Sequence, residues 1–283
     1  MNCYICKNET FQKVEGKVRD RPEVGILKCR ECGLVFLESF DHIDDHYYSD
    51  SKMREDIVQS DWEVYRQKSA FDDVRRHRWI QPQVSGKTLL DFGCGSGGFL
   101  YRIKESTKKC AGLEKDKALQ SVIEEKLCVR VYSDIGEVDE KFDIITLFHV
   151  LEHLKDPSKT LIALSELLTE EGKIIIEVPS CDDALLSLYR CKEFSEFTYW
   201  SCHLFLFNTV TLRKLIESLG LKVDFISQIQ RYPISNHLHW LATGKPGGHE
   251  NWSFLDSPEL NKQYEDQLAR RGLCDTIIAS IKK

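Results

Sequence analysis

Twelve residues, Leu89 to Leu100, hold the densest chemistry of this 283-residue chain. An apolar run reaches Asp91, and glycines follow at positions 93, 95, 97 and 98 before an amphipathic stretch begins. Glycines let a backbone turn sharply and come close to a ligand. A strand, a glycine loop and a helix in that order hold nucleotide-like molecules in open α/β sheets. The spacing Gly93-x-Gly95-x-Gly97-Gly98 puts a glycine at the third position of a dinucleotide fingerprint. Asp91 argues against that ligand. A dinucleotide brings its pyrophosphate to the helix N-terminus, and a carboxylate beside that spot would repel it. A cation bearing an ammonium group suits Asp91 better.

The elements that position this loop follow in order. Lys109 to Glu114 is a second strand pattern ending in an acid, and Glu114 lies 21 residues after Gly93, about where an acid meets ribose hydroxyls. Val129 to Asp134 is a third strand, again ending in an acid. Phe142 to Phe148 is nearly all apolar, as a strand covered on both faces requires. Lys173 to Pro179 is a fifth, and helical patterns such as Ser158 to Leu168 separate the strands. This alternation predicts an α/β fold with a parallel sheet covered by helices on both sides.

The run Asp91-Phe92-Gly93-Cys94-Gly95-Ser96-Gly97 resembles the first motif of the class I methyltransferases that depend on S-adenosylmethionine (SAM). The resemblance implies a Rossmann-like, mostly parallel seven-stranded sheet and SAM as the cationic cofactor. It implies cofactor contacts at Asp91, Gly93, Cys94, Gly95, Gly97 and Glu114, with Asp134 near the adenine and Phe148 where the fourth strand ends.

The first forty residues carry a second signal. Cys3-x-x-Cys6 and Cys29-x-x-Cys32 are separated by 22 residues, with Gly33 next in line for a tight turn. Two such pairs supply four thiolates for one tetrahedral Zn2+. Thr10 to Val18 and Val24 to Lys28 read as short strands, so the segment is a zinc ribbon in outline, folded by its metal. Similar modules precede the catalytic domain in some rRNA methyltransferases and, more closely, in methyltransferases of activated deoxysugars. The other seven cysteines (94, 110, 128, 181, 191, 202 and 274) show no such spacing and read as core thiols.

Candidate catalytic groups follow the fourth strand. In Phe148-His149-Val150-Leu151-Glu152-His153, a helix would place His149, Glu152 and His153 on one face. Histidine takes a proton near neutral pH and a carboxylate orients it. The same three groups also suit a divalent metal. A Glu-His pair here is widespread in the methyltransferase superfamily; the sugar C-methyltransferases commonly add a tyrosine two residues before the Glu, where this chain has Val150. His203 is a further candidate, because relatives with a similar His-Leu-x-x-Phe run turn that histidine toward the active site.

The remaining segments complete the expected organisation: a ribbon over residues 1–40, a helical linker or lid over 41–81, a SAM-binding domain over 82–250 and a C-terminal helical segment over 251–283. The acidic, aromatic stretch Asp41 to Ser49 precedes a charged helix, Asp61 to Ile80, and its Tyr47 and Tyr48 are candidates to touch SAM or the acceptor. Asn208 caps a helix from Thr209 to Leu219. Leu221–Gln230 and His237–Thr243 read as two strands, and residues 257–282 as a terminal helix packed on the domain or on a second copy of the chain.

Composition bounds the function. Eleven cysteines without an export signal point to a reducing, cytoplasmic compartment. No run of about 18 apolar residues offers a membrane span. The net charge of −6 argues against a general nucleic-acid surface. Residues 1–40 hold seven Lys/Arg and six Asp/Glu, with no basic stripe. The expected activity is SAM-dependent methyl transfer to a small acceptor of sugar type. The rivals are an rRNA or tRNA methyltransferase that grips RNA with the ribbon, and a non-catalytic SAM-binding protein.

Overall fold

The computed structural model describes residues 1–44, 47–48 and 62–283. Two compact units make up the chain. One comprises Met1–Phe40, Leu151–Pro157 and Glu177–Ala279, the other Asp41–Val150, Ser158–Ile176 and Ser280–Lys283.

The strands are β1 (Phe11–Lys13), β2 (Ile26–Cys29), β3 (Val35–Leu37), β4 (Thr88–Phe92), β5 (Lys109–Leu113), β6 (Arg130–Tyr132), β7 (Phe142–Phe148), β8 (Leu168–Pro179), β9 (Phe205–Leu206), β10 (Lys222–Ile229) and β11 (Thr276–Lys282). The helices that bear on the site and its supports are α1 (Trp62–Val84), α2 (Gly98–Ile103), α3 (Lys117–Leu127), α4 (Pro157–Glu166), α5 (Thr209–Ser218), α6 (Ile234–Thr243) and α7 (Pro258–Arg271). The large sheet is seven-stranded and mostly parallel, in the order β10-β11-β8-β7-β4-β5-β6. The expected α/β class therefore holds.

The parallel centre of the sheet positions the glycine loop. β4 lies between β5 and β7, in register Asp91 with Gly112 and with Thr146. Leu89, Leu90, Ile144, Ile145 and Leu147 are fully or almost fully buried, which is why these strands read as continuous apolar runs. Asp143 fixes the start of β4, its carboxylate accepting from the Thr88 N–H and hydroxyl and from the Thr169 hydroxyl. Asp116 caps α3, accepting from the amides of Ala118 and Leu119.

The ribbon residues form a second sheet, ordered β1-β2-β3-β9. Its fourth strand comes from Phe205–Leu206, paired antiparallel with Phe36 and Val35. The segment just after His203 is thus built into the ribbon's own sheet.

The C-terminal region corrects two expectations. His237–Thr243 is not a strand: residues 234–243 form α6, ended by Gly244 at φ 65°. Its buried face carries Ser235, Asn236, His237, His239 and Trp240, while Leu238 and Leu241 are exposed. Alternating His and apolar residues mimicked a period of two because the buried face is the polar one. Nor does one helix fill 257–282. α7 is capped by Ser257 and stops at Gly272, which has φ 73°. The β-branched run Thr276-Ile277-Ile278 then enters the sheet as part of β11, buried throughout.

Candidate functional site

The glycine loop is shaped by backbone conformation. Gly93, Gly95 and Gly97 have φ values of 73°, 57° and 75°, a region in which a Cβ is strained. A Cβ on Gly93 would lie 2.6 Å from Val150 Cγ2, and one on Gly98 would run into the Asp73 carboxylate. The Gly93 and Cys94 amides both donate to the Leu113 carbonyl. Glu114 Oε2 accepts from the Gly95 amide at 2.9 Å, while its Oε1 accepts from the Lys115 and Asp116 amides. Glu114 thus braces the loop as well as standing at the end of β5.

Asp91 is buried beneath this loop and accepts from the Thr146 hydroxyl at 2.7 Å. Burial pushes its carboxyl up to about 7. The Thr146 bond and the Arg76 charge pull it down, and the charges of Asp73 and Glu114 push it further up. An anionic group this deeply desolvated is costly unless a cation meets it.

Two of those neighbours escaped the sequence reading. Asp73 and Arg76 sit on α1, both buried, with the guanidinium 3.5 Å from the Asp73 carboxylate and 4.8 Å from the Phe148 ring centroid. Burial raises the Asp73 carboxyl above its ordinary range, and the Ser69 hydroxyl donates to it at 2.6 Å. Trp62 Nε1–H donates to the Ser96 carbonyl of the loop. In the sequence these residues look like one more charged, solvated helix. Only their i, i+3 spacing hinted at pairing.

The other expected cofactor residues vary in their surroundings. Phe148 is buried and packs edge-on against Phe99 with 5.0 Å between ring centroids. Cys94 is buried with its Sγ against Gly112, so it packs beneath the loop. Asp134 is exposed and caps a single turn by accepting from the Gly136 amide. Tyr47 and Tyr48 pack edge-to-face at 5.0 Å. Asp45, His46 and Ser49 of the same expected stretch, and Asp61 at the expected start of the charged helix, lie outside the described residues.

The expected helix carrying His149, Glu152 and His153 is absent. Leu151–His153 form one 3-10 turn, and His149 precedes it at φ 56° in a bend. His149 is therefore not on a helical face with the other two. The left-handed backbone at His149 breaks the register that the i, i+3, i+4 spacing assumed.

Glu152 and His153 instead share the first unit with His203. Glu152 is fully buried, its carboxylate 3.9 Å from His153 Nε2. The His153 and His203 rings meet edge to face with centroids 4.9 Å apart. Cys202, expected to be a core thiol, is fully buried and belongs to the same cluster: the ligand atoms of His153, Cys202 and His203 all lie within 4.8 Å of one another.

Ribbon residues contact the segments 151–157 and 200–206 that carry this cluster, which together form one wall of the first unit. Leu204 N–H donates to the Glu152 carbonyl. Asp20 accepts from the Ser201 amide and hydroxyl, and Arg19 stacks 4.3 Å from the Trp200 ring centroid. Tyr4 donates to Asp156 and packs 5.1 Å from Phe205.

The four ribbon cysteines converge, with Cys3 and Cys32 sulfurs 3.5 Å apart, Cys6 and Cys29 sulfurs also 3.5 Å apart, and all four within 4.8 Å of one another. The two Cys-x-x-Cys turns repeat one hydrogen-bond pattern. Lys7 N–H donates to Cys3 O as Gly33 N–H does to Cys29 O, and Cys3 N–H donates to Asn8 O as Cys29 N–H does to Leu34 O. Each pair is followed by a left-handed residue, Lys7 at φ 60° or Gly33 at φ 84°. Four convergent thiols on matched turns fit a tetrahedral metal.

Residues 62–224 match the family model for a methyltransferase domain, more than half of the chain. The chain belongs to this methyltransferase family. The match takes in the glycine loop, Asp73, Arg76, Glu152, His153, Cys202 and His203, but not the four ribbon cysteines. The chain is 29% identical over 154 residues to tRNA U34 carboxymethyltransferase of Dichelobacter nodosus, covering 51% of this chain and 49% of that one. It is 32% identical over 103 residues to (S)-tetrahydroprotoberberine N-methyltransferase of Eschscholzia californica, covering 32% and 29%. It thus spans about half or less of the length of these curated relatives. Its fold is similar to that of a SAM-dependent methyltransferase from Archaeoglobus fulgidus, with a TM-score of 0.50, 22% identity and coverage of 82% of this chain and 98% of that one. Among the described residues, no helix is long and apolar enough to cross a membrane.

Proposed function

We propose that this chain transfers a methyl group from SAM to a hydroxyl on a small acceptor of sugar type. The observation that carries the reading is Asp91, buried at the end of β4 beneath a loop of three left-handed glycines, with Asp73 and Glu114 close enough to raise its pKa. That anionic surround suits a cationic ligand and opposes a pyrophosphate. Bound there, SAM supplies a methyl already activated by a sulfonium charge.

The chain's own residues do the rest. Asp91 holds the cationic end, and Glu114 fixes Gly95 so that the loop keeps its shape. Gly93 and Gly97 let the backbone approach the ligand. Asp134 and Phe148 border the cofactor, and Cys94 supports the loop from below. Glu152, His153 and His203 activate the acceptor hydroxyl by drawing off its proton, with the buried carboxylate orienting His153. The ribbon takes a structural Zn2+ on Cys3, Cys6, Cys29 and Cys32 and holds the wall that bears His203. A reducing, cytoplasmic setting keeps these thiols available as ligands.

A small acceptor suits the charge distribution: the chain is net −6, and its ribbon has no cationic stripe. An RNA acceptor is the second reading, favoured by the D. nodosus relative.

The test is calorimetric titration of zinc-quantified full-length protein with SAM, alongside Asp91→Ala, followed by acceptor screening. We expect one-site binding that Asp91→Ala weakens roughly 100-fold or more, as loss of one partner of a buried charge pair does. Turnover on sugar hydroxyls supports the acceptor class. RNA binding that falls steeply with salt, with turnover on RNA, overturns it in favour of the second reading. SAM binding without turnover on any acceptor leaves a non-catalytic binding protein. No SAM binding overturns the whole proposal.

A further inference from the structure

We infer that His153, Cys202 and His203 form a second metal site, distinct from the ribbon's four cysteines and suited to Zn2+. The inference concerns the cluster proposed above to activate the acceptor. It rests on that reading for the use of the metal, but not for its binding.

Three features support it. One thiol and two imidazoles place their ligand atoms within 4.8 Å of one another. In a tetrahedral zinc site such atoms stand about 3.5 Å apart, given Zn–S and Zn–N bonds of about 2.3 and 2.1 Å. An ion would have to draw them in by about 1 Å, within the reach of side-chain rotation. The donor set is also chemically right. Thiolate with imidazole selects borderline-soft divalent ions over Mg2+ or Ca2+, which want oxygen.

Support from behind is the third feature. The fully buried Glu152 places its carboxylate 3.9 Å from His153 Nε2, close enough to act on a ligating ring by charge, and a hydrogen bond there needs a closer approach when an ion binds. Its backbone carbonyl accepts from Leu204 N–H, tying the turn that bears His153 to the strand that follows His203. β9 then joins the ribbon sheet, so the segment bearing Cys202 and His203 is anchored by Asp20 on one side and β3 on the other.

Three protein ligands leave one position of a tetrahedron open, the pattern of a reactive rather than a purely structural zinc. Binding replaces the Cys202 S–H by an S–Zn bond and releases its proton to solvent. A hydroxyl held at the fourth position would lose its own proton more readily, because a bound zinc lowers the pKa of an oxygen ligand. His153 and His203 would then act through the ion rather than as free bases.

The experiment is metal stoichiometry on the full-length chain, by mass spectrometry after saturation with Zn2+ and removal of the excess. Cobalt substitution then reports thiolate coordination by absorption. We expect two zinc equivalents per chain. Cys202→Ser should retain one equivalent and the four-thiolate cobalt spectrum while losing the single-thiolate component. Because Cys202 is fully buried and its variant could misfold, His203→Gln is measured in parallel and should also lose one equivalent. Glu152→Gln should keep the site but weaken it about 10- to 100-fold. One equivalent in the native chain, or two that neither variant reduces, overturns the site. Neither result touches the SAM titration, so failure here is distinguishable from failure of the methyltransferase reading.

Discussion

The glycine loop after β4 and the wall built from residues 151–157 and 200–206 solve opposite problems. The loop is one continuous stretch, and the binding proposed for it lies in backbone angles: three left-handed glycines, with a carboxylate buried beneath them. The wall brings side chains together from segments about fifty residues apart, and the chemistry proposed for it lies in a thiol, two imidazoles and a carboxylate. The loop is shaped mainly by its neighbours in sequence and by β5 beside it, with α1 packed on it through Trp62 and Asp73. The wall is shaped by the ribbon, through β9, Asp20, Arg19 and Tyr4. A site made of backbone is written locally, whereas a site made of side chains depends on long-range packing.

The largest effect should come from removing the wall's support. Cys29→Ser deletes one of four thiolates whose metal would fold the ribbon, a contribution of about 10–16 kcal/mol in isolated zinc modules. We expect loss of the zinc proposed for these four thiols, together with fast amide exchange over residues 1–40 and 200–206. SAM affinity at the loop should stay close to native. Slow exchange at 200–206 in the metal-free variant would break the comparison, because the wall would then stand without its ribbon.

The same contrast explains what could be read from sequence. Asp91, Glu114 and the glycines were legible because strand, loop and acid follow one another in order. The two Cys-x-x-Cys pairs were legible because each turn closes within six residues. Cys202 was not, since a lone cysteine beside a histidine reads as a core thiol until Glu152 and His153 are brought next to it. Asp73 and Arg76 hid in a helix whose charges resemble a solvated face. His149 misled because its spacing assumed a helix, and one left-handed residue removed it. α6 misled because its buried face is polar, so the usual link between apolar and buried failed.

The next effect belongs to the loop and follows pH. Asp91 is held up to about 7, chiefly by burial. A raised carboxyl binds its proton more tightly folded than unfolded. In the ligand-free protein its stabilising contribution is therefore fully present below the unfolded value near 4 and is lost as pH rises through about 7. A cationic ligand reverses the preference, because it needs the ionised form. SAM affinity should therefore fall as pH drops below about 7, by up to about tenfold per unit, and level off above it. Calorimetry between pH 5 and 9 checks this. A flat profile would mean that Asp91 does not meet the cation. Cys202→Ser serves as the control and should keep the midpoint of the native curve.

The smallest and most specific effect tests how that carboxyl is tuned. Thr146 is fully buried and its hydroxyl donates to Asp91 at 2.7 Å, a bond that favours the ionised form. Thr146→Val removes the donor with little change of shape. Hydrogen bonds to charged groups contribute about 1.5–3 kcal/mol, so the Asp91 titration should move upward by about one to two units. SAM affinity at pH 7 should drop about tenfold or somewhat more and recover toward the native value by pH 9. A uniform loss across the whole range, with no shift of the midpoint, would show instead that Thr146 acts by holding the loop in place. The charge on Asp91 would then be set by burial and the neighbouring charges of Arg76, Asp73 and Glu114.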